Sequence, residues 1–187
     1  QSKFTNQIKY LRGNLSGFFQ PMPAWELELG AEQTRYRVSP GKLEPLENSI
    51  IKAGLLPDEQ GDETSFFFHN QLTVSKKIEI VAGIRYTFFK NLGTSRVFLY
   101  EAGSPKNEDT ISDTLQFSGG EKVAGYSGWE PRLSLRFSLD ESSSVKLGYN
   151  RSYQFFSQIS NTASATPIDI WQLSNYHVKP QRADNFS

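Results

Sequence analysis

Hydrophobic and polar positions alternate over long stretches of this chain. From Ile78 to Phe88 one set is Ile78, Ile80, Ala82, Ile84, Tyr86 and Phe88, without a charge and ending in aromatics. The other set is Glu79, Val81, Gly83, Arg85 and Thr87. A period of two predicts a β-strand with two unlike faces. The same pattern recurs. Trp25, Leu27, Leu29 and Ala31 stand against Glu26, Glu28, Gly30 and Glu32. Phe66, Phe68, Asn70, Leu72 and Val74 stand against Phe67, His69, Gln71 and Thr73. Leu133, Leu135, Phe137 and Leu139 oppose Arg132, Ser134, Arg136 and Ser138. Val145, Leu147, Tyr149, Tyr153 and Phe155 oppose Lys146, Gly148, Asn150, Ser152 and Gln154. An earlier strand runs from about Phe4 to Phe19, and a further one begins near Ala183. Arg151 breaks the apolar parity of its strand near the upper end, where a long side chain can snorkel to an interface.

The connections alternate too. Short turns are predicted at about 20–24, 75–77 and 140–144, and long loops at about 39–62, 90–122 and 157–182. Tight turns between strands predict antiparallel hairpins. Strict sorting of short and long connections is the habit of outer-membrane barrels, with short turns in the periplasm and long loops outside. The predicted strands have roughly 11 to 17 residues, enough to cross a bilayer at a tilt and well beyond the usual globular strand. Aromatics gather near the strand ends: Phe18, Phe19 and Trp25 at the short-turn end, and Tyr36, Tyr86, Phe88, Tyr149, Tyr153 and Phe155 toward the long loops. Two interfacial girdles have that arrangement.

Composition then narrows the classes. The 187 residues carry 20 basic and 20 acidic side chains, without a basic run, which speaks against nucleic acid as a partner. There is no cysteine, so disulfides and thiolate metal sites are excluded. No run of 18 or more apolar residues occurs, which excludes a transmembrane helix but not a barrel, whose strands average to mild polarity. No nucleophile elbow, zinc-protease motif, P-loop or dinucleotide fingerprint is found, so neither an enzyme nor a cofactor is expected.

Several stretches resemble one family. They are WELELGAEQTRYRVSPG, VAGIRYTFF with NLG, YSGWEPRLSLRFSLDESSSVKLGYNRSYQ, SNTASATPIDIW and VKPQRADNF. Their order and spacing are similar to the middle of the barrel of TonB-dependent outer-membrane transporters, and they cover most of the chain. The block from EPRLSLRF to YNRSYQ is the most specific. The resemblance implies an all-β, antiparallel transmembrane β-barrel segment spanning 1–187, with about six or seven strands of a barrel of about 22. It implies active import of a scarce solute across the outer membrane of a Gram-negative bacterium. The implied partners are the remaining strands and plug, from the same polypeptide or another chain, outer-membrane lipid, the inner-membrane energy-coupling complex and, in one branch, a surface lipoprotein lid. No plug matches within the chain. Six or seven strands cannot close in lipid, because the smallest outer-membrane barrels have about eight and open edges leave backbone groups unpaired.

Two alternatives stay open: a passive or structural outer-membrane barrel, porin-like or secretion-related, and a soluble all-β ligand-binding module. On the barrel reading, Arg85, Glu130, Arg132, Arg136, Lys146, Asn150 and Gln154 face the lumen or a plug. Glu130 and Arg132 flank Pro131 and are candidates for a structural pair. Tyr100, Trp171 and Tyr176 are aromatic loop residues that can stack on a substrate or pack a loop against itself. Asp58, Glu59, Asp62 and Glu63 could offer oxygens to calcium, although their spacing is not that of an EF-hand. His69 is expected as a lumen hydrogen-bonder. His177, far away in sequence, gives it no obvious metal-binding companion.

Overall fold

The computed structural model describes residues 2–45, 54–160 and 169–187. Its strands are β1 (Ser2–Met22), β2 (Trp25–Pro45), β3 (Gly54–Leu55), β4 (Glu59–Ser75), β5 (Ile78–Leu92), β6 (Ser95–Tyr100), β7 (Ile111–Phe117), β8 (Lys122–Ser138), β9 (Ser144–Gln154), β10 (Phe156–Ser160), β11 (Asp169–Leu173) and β12 (Gln181–Phe186). One 3-10 turn, Glu108–Thr110, lies between β6 and β7 and is capped by Asn107. The fold is all-β and antiparallel, as expected. Seven strands form one open sheet in the order β1-β2-β4-β5-β8-β9-β12, with β3 added beside β2. Among the described residues β1 pairs only with β2, and β12 only with β9.

Tight turns at Pro23–Ala24, Lys76–Lys77 and Leu139–Ser143 lie at one end of the sheet. They interlock, since Thr73 N–H donates to the Ala24 carbonyl and Ser138 N–H to the Lys77 carbonyl, each at 2.8 Å. In the third turn the Asp140 carboxylate accepts from the Ser142 N–H and hydroxyl, both at 2.8 Å, and these bonds hold its pKa below the usual value.

At the other end the strands outrun the predicted loops. Pairing continues along β2 to Pro45 and resumes in β4 at Glu59. Pro40–Gly41 reads as a breaker, but it sits opposite a register shift between Thr5 and Gln7. A bulge accommodates a proline that has no N–H to donate. The stretches 90–122 and 157–182 also contain strand, in the separate hairpins β6–β7 and β10–β11.

The register shows why the strands are long. On the apolar face Ala31, Phe66, Tyr86 and Trp129 stand side by side on β2, β4, β5 and β8. Leu29, Phe68, Ile84 and Pro131 form the row below. These side chains have no protein cover: Leu15 is 79% exposed, Leu29 61% and Leu133 53%. Tyr86, Phe88 and Trp129 close the band, with the Tyr86 ring 4.6 Å from Phe88 and 4.4 Å from Trp129. The ten steps from Ile78 to Phe88, at about 3.3 Å each and a tilt of about 45°, rise about 23 Å, close to the apolar band of an outer-membrane barrel.

Above that rim the two faces exchange character. The outward positions become Arg35, Asp62 and Lys90 in one row and Arg37 and Gln60 in the next. The opposite face, polar below, becomes apolar there. Val38, Phe89, Phe155 and Leu173 form a buried cluster, with Tyr36, Tyr126, Tyr153, Phe156 and Trp171 packed on it.

Three aromatic side chains therefore stand elsewhere than in the expected outward girdle. Phe155 follows a break between β9 and β10, and its ring stacks on Phe89 at 4.9 Å. Tyr153 crosses to the same cluster over Gly128, where a Cβ would come within 2.5 Å of its ring. Tyr36 lies on the polar parity rather than in an outward girdle, and its hydroxyl donates to Glu63 at 3.0 Å. Arg151 does not snorkel. It pairs with Asp184, directly opposite on β12, at 2.7 Å, and Asp184 also accepts from the Tyr149 hydroxyl. An arginine on an apolar face is tolerated when its charge is met by a partner and its hydrogen bonds are filled. Asp184→Ala is expected to lower barrel stability by stranding that charge, and Arg151→Leu in the same background should restore part of it, measured by urea unfolding in phospholipid vesicles.

Candidate functional site

The polar face below the rim is a connected ionic surface. Arg85 on β5 donates through Nη2 to Glu32 at 2.9 Å and lies 3.7 Å from Glu63. Arg12 reaches Glu32 at 3.7 Å and donates to the Thr34 hydroxyl. Glu63 accepts from Tyr36. On its other side Arg85 contacts the Thr87 hydroxyl at 3.4 Å, and that hydroxyl donates to the buried Glu130 at 2.8 Å. Five strands, β1, β2, β4, β5 and β8, thus share one network. Alternation builds it: Glu32, Ser65 and Thr87 lie in one cross-strand row, Arg85 and Glu130 in the row of the same parity below, and Thr34 and Glu63 in the row above.

The pair expected between Glu130 and Arg132 is not formed. Side chains two apart on a strand are farther from each other than cross-strand neighbours. Glu130 has Arg85 directly opposite and accepts from Thr87 on the diagonal, while exposed Arg132 stands opposite Gly83 and Asn150. Arg136 lies 3.9 Å from Glu79, Lys146 is exposed, and Gln154 donates to the Phe156 carbonyl. His69 lies beside Gly83 on this face, and among the described residues it has no hydrogen-bond partner, contrary to expectation. A groove of about 270 Å³ runs past Glu28, Glu32, His69, Arg85 and Arg132.

Above the rim the β10–β11 hairpin is docked on the extended ends of β2 and β4. Ser174 N–H closes its base on the Phe155 carbonyl at 2.7 Å. Leu173 is fully buried against Gly61, where an added Cβ would meet Phe89 at 2.9 Å and Leu173 at 3.1 Å. Glu59 holds the hairpin by its backbone and amides. It accepts from Leu173 N–H at 2.6 Å, Gln172 at 3.2 Å and Asn175 at 3.3 Å. A cavity of about 320 Å³ opens beside Glu59, Asn91, Arg96, Val97, Gln172 and Tyr176.

Burial raises the Glu59 carboxyl above its ordinary value of 4.5, against those three hydrogen bonds, which favour the ionised form. The docked hairpin therefore binds more protons than the undocked one. Docking strengthens as pH falls from neutral through the raised pKa, and the gain is complete below 4.5. Amide-exchange protection at Leu173, corrected for intrinsic rates, is expected to rise from pH 7 toward 5. Glu59→Ala should lower protection throughout and flatten the pH dependence. A dependence that persists in the variant would assign it to another group.

The aromatic candidates divide. Trp171 is a packing residue of the hairpin, its ring stacked on Phe156 at 4.9 Å. Tyr100 and Tyr176 come together around His177, with ring centroids at 5.8 and 5.2 Å. His177 also joins its hairpin to β6, its Nε2 lying 3.0 Å from the Phe98 carbonyl. Sequence reasoning left His177 without a role, since nothing local marks a contact across 79 positions.

The four carboxylates considered for calcium do not converge. Alternation along β4 sends Asp62 outward to Arg35 and Glu59 and Glu63 to the other face, while Asp58 is exposed. Among the described residues no group of three metal-ligating side chains occurs.

Comparison with curated proteins and with solved structures gave no match. One family model, described as TonB dependent receptor-like, beta-barrel, matches residues 2–187. An open antiparallel sheet with an uncovered apolar band, a charged opposite face and interlocked turns at one end is what a segment of such a barrel wall requires. The chain belongs to the TonB-dependent receptor β-barrel family, whose members are transport proteins of the Gram-negative outer membrane.

Proposed function

We propose that this chain supplies wall and external loops to an outer-membrane active transporter that imports a scarce solute. The observation that carries the reading is the exchange of polarity at the Tyr86–Trp129 rim. Lipid explains an apolar outward band about as tall as a bilayer core. Water explains charged outward positions directly above it, and docked loops explain the apolar inner cluster at the same height. A soluble core would need a cover for Leu15, Leu29 and Leu133, and none exists among the described residues.

On this reading the turns at Pro23–Ala24, Lys76–Lys77 and Leu139–Ser143 are periplasmic, and the long connections are extracellular. The network of Glu32, Arg85 and Glu130, together with Arg132, Arg136, Lys146, Asn150 and Gln154, lines the lumen. Its groove and unpartnered His69 are suited to a plug, because a wet charged wall can exchange ionic and hydrogen-bond partners. The β1 and β12 edges pair with further strands, since an open edge in lipid leaves backbone groups unsatisfied. Tyr100 and Tyr176, with the nearby cavity, contribute to solute capture. Transport is driven through the plug by the inner-membrane energy complex, and a lipoprotein lid is compatible with this outer mouth.

Residues 1–187 produced without detergent should aggregate and be rescued by detergent or by the remaining strands. A folded, soluble monomer in light scattering would overturn the barrel reading. In cells carrying the complete protein, solute uptake should stop when the proton-motive force is collapsed. Uptake that continues would make the barrel passive.

A further inference from the structure

The apolar band ends in a concentration of positive charge that the transport reading does not use. Directly above the aromatic rim the outward face carries two cross-strand rows. The lower is Leu11, Arg35, Asp62, Lys90 and Gly125. The upper is Lys9, Arg37, Gln60, Leu92 and Lys122. The Lys122 side chain lies across the lower row, its Nζ 3.3 Å from where Gly125 would carry a Cβ. All five cations are exposed. Five cations less the one carboxylate, Asp62, leave a net charge of +4 on these two rows, in a chain whose overall net charge is zero. Asp62 is engaged by Arg35, which donates to both its oxygens at 2.8 and 3.1 Å. Among the described residues Lys9, Arg37, Lys90 and Lys122 have no carboxylate partner.

The surface beneath the charges is shaped as well. A depression of about 640 Å³ lies at this level, bounded by Leu11, Gln33, Arg35, Phe88 and Lys90. Its floor includes Gly13, which has open space where a Cβ would stand. Apolar atoms of Leu11 and Phe88 thus lie beside cationic heads, at the height where an acyl chain gives way to its headgroup.

We infer that these rows and the depression bind the phosphorylated headgroup of an anionic lipid of the outer leaflet. The inference rests on the transmembrane reading, because only that reading puts Phe88 at the membrane boundary. Arg35 and Lys90 flank the depression and take the phosphate. Arg suits a phosphate by its planar fork and Lys by its compact charge. Lys9, Arg37 and Lys122 raise the local attraction for anionic lipid, as basic groups next to a bilayer do. The acyl chain lies over Gly13 and against Leu11 and Phe88, continuous with the lipid-facing band. Lipid is the favoured occupant for that continuity: a free phosphate would leave the apolar side of the depression without a partner.

The complete barrel protein is reconstituted in nanodiscs of phosphatidylcholine doped with phosphatidic acid, and the lipids retained are counted by native mass spectrometry. Wild type should enrich phosphatidic acid. Arg35→Gln/Lys90→Gln should reduce that enrichment roughly tenfold. Lys9→Gln/Lys122→Gln, which leaves the Asp62 pair intact, should also reduce it. The loop control Lys106→Gln/Lys179→Gln should keep it. Absence of enrichment in wild type, or enrichment that survives both row variants, would overturn the assignment. Displacement of the lipid by millimolar inorganic phosphate would replace the lipid with a free anion. Heat-modifiable gel migration is followed in parallel. Protein that never inserts in the bilayer would count against the transmembrane reading itself, whereas inserted protein without lipid preference counts against this site alone.

Discussion

Leu133→Arg is expected to cost the membrane-inserted barrel about 2–4 kcal/mol, the penalty for an arginine near mid-bilayer on a lipid face. Ser134→Arg, one residue along, is expected to cost much less. The two positions share a strand, a depth and a local backbone. They differ in the face they present. Leu133 stands in a row with Ala82 and Tyr149, on the side that no protein covers. Ser134 stands opposite Val81 and Gly148 and lines a depression of about 340 Å³ with His69, Arg132, Asn150 and Ser187, where a long side chain finds polar company. A difference between the two variants therefore reads the solvent of each face. Unfolding in phospholipid vesicles, followed by tryptophan fluorescence against urea, supplies both free energies. A larger loss for Ser134→Arg would reverse the assignment of the faces, and equal small losses would remove lipid from both.

Arg85→Ala is expected to cost about 2–3 kcal/mol, discounted for a wet interior from the value for breaking a buried ion pair. The side chains of Arg85, Glu32 and Glu63 are only 22%, 14% and 16% exposed. Removing the guanidinium leaves two carboxylates close together with Arg12, 3.7 Å from Glu32, as the remaining nearby cation. It also frees Thr87, which positions Glu130. Arg85→Lys should recover part of the loss, because it restores charge without the fork. Urea unfolding of the complete barrel distinguishes the three proteins. A loss in Arg85→Ala no larger than that of an isolated surface pair, under about 1 kcal/mol, would show that the network does not act as a unit.

The strands and their faces were legible because a pleated strand obliges successive side chains to opposite sides. That single rule placed Ile80, Ile84, Leu133 and Leu147 on one face, and Arg85, Arg132, Arg136 and Lys146 on the other. The number of such strands, too few to close, implied an open sheet with unpaired edges. The rule misled where the environment changes along a strand. Phe89 shares parity with Arg85, yet it is a buried residue of the mouth cluster. Tyr153 and Phe155 share parity with Leu147, yet both join that cluster. Polar strand ends such as 59–62 read as loop, since polarity and a nearby proline and glycine signal a turn, whereas the structure pairs them with β2 and β5.

Residue type and order by themselves determined the period of two, the hairpin order, the separation of apolar from charged faces and the family to which the chain belongs. Tertiary structure alone decided partners and height. Glu130 meets Thr87 rather than Arg132, and Glu59 meets Leu173 across 114 positions. The charges of Arg35, Arg37 and Lys90 fall on one level because of the register between β2, β4 and β5. The physical reason is range. Alternation is a local consequence of backbone geometry, whereas strand register and loop docking are set by contacts between residues distant in sequence, which carry no periodic mark.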